Sequence, residues 1–265
     1  MPEDTENTIA AIYRYPVKGL SAETLDHVTL APGECLPHDR RFAIALPSTR
    51  FDPENPEWLS KTHFVMLMRD AALAHLQTSF DPETGELTIA DETGPPLRAR
   101  ITDPEGARRA AEFVAEFLGD GVARPLRIVE APGHAFADAR KKPNATFEKY
   151  VSLINRASIA ALEEVVETPV DPLRFRANVY FDGAPAWREL DWVGSDIALG
   201  RARLRIIAPI TRCAATEVNP ETAERDLDTV AALRRGFGHN LMGIYAEVTE
   251  GGPIAVGDPL VRVPV

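Results

Sequence analysis

The chain is short of cysteine, of positive charge and of long apolar runs, and each shortage removes a class of function. Its two cysteines, Cys35 and Cys213, stand far apart among 265 residues. They follow no CxxC or Cys/His spacing, so neither a zinc site nor an iron–sulfur cluster is encoded. A chain this long buries a full core without a staple, and a single possible disulfide favours a reducing compartment. No stretch approaches the ~20 apolar residues of a membrane span. The opening, MPEDTENTIA, is acidic and polar, unlike the basic then apolar start of a secretory leader, so a cytoplasmic location with no membrane partner is expected. Lys plus Arg total 29 against 40 Asp plus Glu, a net charge of −11 that argues against general nucleic-acid binding. No dinucleotide fingerprint for a flavin or nicotinamide cofactor is present.

What is there is ordinary in amount, with 45% apolar and 26% charged residues, the average of soluble globular proteins. A chain of this length forms one large domain or two smaller ones and buries roughly 70–75% of its unfolded surface. Strands are expected at Ile9 to Tyr15, ended by Pro16, at Leu25 to Leu30 and at Arg41 to Leu46. The short apolar runs 64–68 and 73–79 precede a hairpin turn at Asp81 to Gly85 that leads into Leu87 to Ala90. Further short strands are expected at 178–181, 197–199, 204–207, 242–248, 254–256 and 260–263. The alternation from Arg201 to Ile206 places Arg201, Arg203 and Arg205 on a solvated strand face.

Two helices interrupt this pattern. Ala110, Phe113, Val114, Phe117 and Leu118 recur at helical spacing, with Gly119 as terminator. A second helix runs from Ser158, a possible N-cap, to Val166, and a short third lies near Thr229 to Arg235. Many short strands between turn signals predict a mainly β fold with a few helices, built as barrels or sandwiches. The domain boundary is placed near residue 122, dividing the chain into 7–122 and 123–265.

The stretch with chemical character is Thr211 to Pro220, TRCAATEVNP. A thiol acts as nucleophile or metal ligand in its thiolate form, which the neighbouring charge of Arg212 favours. Free cysteine also packs as a small buried hydrophobe, and the local run does not decide between the two. Lys18 read alone is a solvated loop lysine, Arg40 beside Asp39 a surface ion pair, and Asn178 a turn cap.

Together, YPVKGL (Tyr15 to Leu20), DRRFAI (Asp39 to Ile44), RFRANVYFDG (Arg174 to Gly183), TRCAATEVNP and VGDPL (Val256 to Leu260) resemble the MOSC family. In its two-domain form an N-terminal MOSC β-barrel precedes the MOSC domain, as in proteins similar to the mitochondrial amidoxime reducing component. The resemblance covers nearly the whole chain. It implies a molybdopterin cofactor between the domains, with Cys213 as metal ligand and catalytic residue and Lys18, Gly19, Arg40, Arg176, Asn178, Thr211 and Arg212 around the cofactor. A soft thiolate suits a metal already bound by dithiolene sulfur, and Lys and Arg suit a phosphate ester. The chain departs from the commonest pattern at Gly19, where many relatives carry serine, at Lys61, where arginine is frequent, and at Asn219 in place of aspartate. His63, His239 and Asn240 are further candidates for the pocket.

The expected activity is reduction of small N-hydroxylated or N-oxide-type substrates. Electrons would come from a separate ferredoxin-, flavin- or haem-type protein, since the chain contains no cysteine cluster of its own. The alternatives are a sulfur transferase carrying a persulfide on Cys213 and a non-catalytic carrier of the molybdenum cofactor.

Overall fold

Ala202, Leu204 and Ile206 are each no more than 1% exposed while Arg201, Arg203 and Arg205 face solvent, so the alternating run is a strand with one face in the core. The structure is a computed structural model describing residues 7–263 apart from 144 and 147. The first six residues, on which the reading of the N-terminus partly rests, lie outside it. In chain order the strands of the first half are β1 (Asn7–Arg14), β2 (Glu23–Leu25), β3 (His27–Leu30), β4 (Phe42–Ala45), β5 (Gln77–Asp81), β6 (Glu86–Ala90), β7 (Leu97–Arg100) and β8 (Arg127–Glu130). Then come β9 (Val151–Asn155), β10 (Val179–Asp182), β11 (Asp196–Leu199), β12 (Ala202–Thr211), β13 (Leu241–Glu250), β14 (Gly252–Ala255) and β15 (Pro259–Val263). Helix α1 (Pro104–Leu118) precedes β8, α2 (Arg156–Val166) follows β9, and α3 (Thr229–Phe237) precedes β13.

Seven strands close a barrel in the order β10, β9, β13, β12, β11, β15 and β1, with β1 pairing back to β10. Only β9 and β10 run parallel among these pairs. Closure leaves no free edge, and the interior is filled by side chains such as Ile12, Leu153, Phe181, Leu204 and Ile244. Pro209 lies within β12, where a proline is tolerated because the register shifts on both sides of it.

The first half builds smaller sheets, β4 with β8 and β5-β6-β7, closed over by α1. This helix starts as its sequence dictates: Asp103 accepts from the Gly106 N–H at 2.8 Å, Pro104 occupies the first turn, and Gly119 ends it at φ 61°. Gly106 cannot be replaced cheaply, since an added Cβ would lie 2.0 Å from the Arg100 carbonyl oxygen.

Several local expectations change. Asn155, not Ser158, caps α2, accepting from the Ala157 N–H. Ser158 is buried and donates to Glu189. The predicted strand 25–30 breaks into β2 and β3, which pair with β1 and β14 respectively. The runs at 64–68 and 73–76 form no strand beyond an isolated bridge from Phe64 to Ala45. The division at residue 122 follows the chain, whereas the sheets interleave across it: β1 belongs to the barrel of the second half, and β8 completes the sheet of β4.

This interleaving positions the site. The end of β1 meets the starts of β9 and β10 at one barrel mouth, because β1 runs antiparallel and β9 parallel to β10, and the antiparallel pair Ser152–Tyr245 brings the start of β9 to the middle of β13. The first-half segments 15–20 and 36–42 cross that mouth, with Val17 bridged to Phe42.

Candidate functional site between the two halves

A cavity of about 980 Å³ opens at this mouth, and Lys18, Gly19, Arg40, Arg176, Asn178, Thr211, Arg212 and Cys213 all line it. Four separated stretches of sequence thus converge on one space. His63 and His239 are not on its wall. His239 packs on Trp187 and Phe237, and Asn240 pairs with the Arg212 backbone.

Behind Arg40 and Arg176 lies Tyr15, 1% exposed, which carries one guanidinium on its ring from Arg40 and another from Arg176, each 4.4 Å from the centroid. The ring's negative face offsets part of the repulsion between the two cations. Burial raises the Tyr15 phenol to about 12, against the opposing pull of Arg176 and Arg40, so it stays protonated. Its hydroxyl is buried without a hydrogen-bond partner among the described residues.

Both arginines have left-handed backbones, φ 49° at Arg40 and 52° at Arg176. Such strain persists where neighbours over-determine it. Here the Arg40 N–H donates to the Tyr15 carbonyl at 2.7 Å, the Arg40 guanidinium to the Arg176 carbonyl at 2.8 Å, and the Arg176 N–H to the Leu173 carbonyl at 3.1 Å.

The cations differ in how they are satisfied. Arg40 pairs with buried Asp39 at 2.5 Å, and Asp39 also accepts from the Tyr15 N–H. Burial works to lower Arg40, but Asp39 and Tyr15 outweigh it and hold its pKa above the ordinary value. Lys18 donates to the Phe136 carbonyl at 2.9 Å and pairs with Asp138, while burial pulls its pKa down. Arg176 has no carboxylate or carbonyl partner among the described residues, and burial, with Arg40 adding to it, lowers its pKa to about 10. A withdrawn guanidinium whose donors face a cavity favours an anion there.

Cys213 follows the end of β12. The ammonium beside it is that of Lys61, whose Nζ lies 3.1 Å from Sγ and is oriented to donate. Arg212, the sequence neighbour, instead gives its guanidinium to the Met242 carbonyl at 2.9 and 2.6 Å and the Phe175 carbonyl at 2.8 Å. Asn178 is likewise committed, accepting from the Ser152 N–H and hydroxyl and donating to the Tyr13 carbonyl. Both hold the cavity wall together. Gly19 sits at φ 87° with Val65 oxygen 3.3 Å from an added Cβ, a conformation that disfavours the serine common among relatives. Cys35 also lines the cavity, its thiol pushed up to about 12 by burial, with Asp39 adding to the effect. Sequence inspection overlooked Asp138, for which spacing offers no signal, and noted Lys61 only as a departure from a family pattern.

The MOSC N-terminal beta barrel domain matches residues 6–121 and the MOSC domain residues 131–261. The chain belongs to the MOSC family in its two-domain form. It is 30% identical over 186 residues to mitochondrial amidoxime-reducing component 1 of Xenopus laevis, covering 62% of this chain and 53% of that protein. It is also 30% identical over 142 residues to a molybdenum cofactor sulfurase of Drosophila ananassae, covering 52% of this chain and 17% of the relative. Among solved structures, the YUAD protein from Bacillus subtilis aligns over 98% of this chain and 97% of its own at 12% identity and TM-score 0.45. The chain therefore spans about half of the amidoxime-reducing relative and under a fifth of the sulfurase. Among the described residues no helix is long and apolar enough to cross a membrane.

Proposed function

We propose that this cavity holds a molybdopterin-type molybdenum cofactor and that the protein reduces N-hydroxylated or N-oxide-type substrates with electrons from a separate protein. The observation that carries the reading is the Arg176 guanidinium, which has no carboxylate or carbonyl partner among the described residues and shares the cavity with Arg40, Lys18 and the Cys213 thiol. Among the described residues no three His, Cys, Asp or Glu are grouped to hold a metal ion. A metal here would arrive with most of its ligands supplied by an organic group. The donor set fits such a group: Arg176, Arg40 and Lys18 for its phosphate, and the thiolate of Cys213 as one soft ligand.

When bound, the cofactor supplies the oxygen-atom and two-electron chemistry. The chain's own residues do the rest. Lys61 directs an N–H at the Cys213 sulfur and so fixes where that sulfur points. Tyr15, protonated at neutral pH, keeps two guanidiniums aligned without adding a negative charge. Arg212 ties the end of β12 to Met242 in β13 and to Phe175, and Asn178 ties β9 to β1, so that Cys213 keeps its place.

The decisive variant is Cys213→Ser, which keeps size and hydrogen bonding but removes the soft ligand. Protein from a cofactor-competent host is expected to contain molybdenum and a pterin. In the variant, turnover with an artificial electron donor should collapse while pterin is at least partly kept. Early melting with wild-type turnover would make Cys213 a packing residue, and intact protein lacking both molybdenum and pterin would remove the reading. A second reading, sulfur transfer through a persulfide on Cys213, draws on the same Lys61 contact, since an ammonium suits a persulfide anion equally. Sulfane sulfur labelling at Cys213 without redox turnover would favour it.

A further inference from the structure

Asp138 is the negative charge inside the cation cluster that is least tied down. Its segment, between β8 and β9, is anchored two residues earlier by Phe136. That residue is 3% exposed and packs edge-on against Phe64, its ring centroid 5.4 Å away. Its N–H donates to the Arg40 carbonyl at 2.8 Å, and its carbonyl accepts from Lys18. From that anchor Asp138 turns back onto Lys18, its side chain still 54% exposed. Lys18 is the only hydrogen-bond partner of its carboxylate among the described residues.

Asp39, the other carboxylate of the cluster, is the contrast. It is 4% exposed, pairs with Arg40 and accepts a backbone N–H, so it belongs to the wall. Burial works to raise the Asp138 carboxyl, but Lys18, with Lys61 and Arg40 beyond, outweighs it and keeps the group ionised. Arg176 also feels this charge. Of the cations acting on Asp138, Lys18 and Arg40 are among those assigned above to an anionic ligand.

We propose that Asp138 is an internal competitor for that ligand: its carboxylate occupies Lys18, must leave when a phosphate group binds, and thereby sets the phosphate's affinity. The inference rests on the reading of the cavity as an anion site. Two like charges within reach of one ammonium repel strongly in a partly buried site. Release of Asp138 breaks one ion pair and, among the described residues, no other hydrogen bond of that carboxylate, while Phe136 keeps the segment attached.

The test is calorimetric titration of the full chain with inorganic phosphate, on wild type and on Asp138→Asn, Asp138→Ala, Asp138→Glu and Arg176→Met. Competition predicts that Asn and Ala bind phosphate about tenfold more tightly than wild type, that Glu, which keeps the charge, binds like wild type, and that Arg176→Met binds more weakly. A supporting role, in which Asp138 merely orients Lys18, predicts unchanged or weaker binding in Asn and Ala and would overturn the proposal. Phosphate binding that survives Arg176→Met unchanged, or fails in wild type and all variants, would overturn the anion-site reading as well. Circular dichroism and melting of each variant separate these outcomes from misfolding, which a half-exposed loop side chain is not expected to cause.

Discussion

Arg176 and Arg212 line the same cavity, and burial lowers the pKa of both, yet the surroundings of their guanidiniums are opposite. Arg212 gives three nitrogens to two backbone carbonyls. Arg176 gives none to the protein among the described residues and lies over Tyr15 with its donors toward the cavity. A buried cation with saturated donors is part of the frame, and one with free donors is prepared for a ligand. In sequence both are an arginine in a short motif, and only the tertiary contacts separate them.

The largest effect expected from this contrast is on stability. Arg212→Met keeps the stem but strands the Phe175 and Met242 carbonyls, and should cost about 2–4 kcal/mol in urea unfolding. A loss under about 0.5 kcal/mol would mean that water replaces the guanidinium and that Arg212 is not part of the frame.

Arg176→Met should do the reverse. Removing a withdrawn charge that has no carboxylate or carbonyl partner among the described residues leaves stability unchanged or slightly higher, while affinity for phosphate or for the cofactor falls by roughly one to two decades. Destabilisation matching that of Arg212→Met, with binding intact, would collapse the distinction.

The smallest effect concerns Arg174, a third arginine on the wall of the same cavity. It is 4% exposed and grips Asp226 through two contacts at 2.6 and 2.8 Å, fastening the acidic loop after Cys213. Burial pushes the Asp226 carboxyl up, but hydrogen bonds from Asn219 and Arg174 and the charge of Arg174 outweigh it and hold its pKa below the ordinary value. A depressed carboxyl contributes stability that is present above its unfolded pKa and lost as pH falls through the folded one. Asp226→Asn should therefore cost about 1 kcal/mol at pH 6, discounted for the partly exposed carboxylate. The difference from wild type should shrink as pH falls through the folded pKa, and a gap that grew on acidification would contradict this.

Much of the site could be read in advance because its residues lie in short segments with unusual chemistry, and Lys18, Arg40, Arg176 and Cys213 reach one cavity from four stretches of chain. The strands that were missed explain themselves. Every residue of Val151–Asn155 is buried, so it has no alternating face to betray a strand. Leu97–Arg100 and Arg127–Glu130 have only four residues each and take their pairing from distant partners, β6 and β4. Helix α1 was legible because its periodicity and terminator are local.

By itself, the sequence determined the properties set within a few residues: the alternating face of β12, the start and stop of α1, the turn of the β5–β6 hairpin, and the motifs that mark a MOSC chain. Only the tertiary structure decided that β1 closes the barrel of the other half, that Lys61 rather than Arg212 meets the Cys213 sulfur, and that Asp138 occupies Lys18. These contacts join residues 152 and 120 positions apart. Side-chain chemistry over such separations depends on how the two halves pack across the barrel mouth, and no local periodicity, propensity or spacing carries that information.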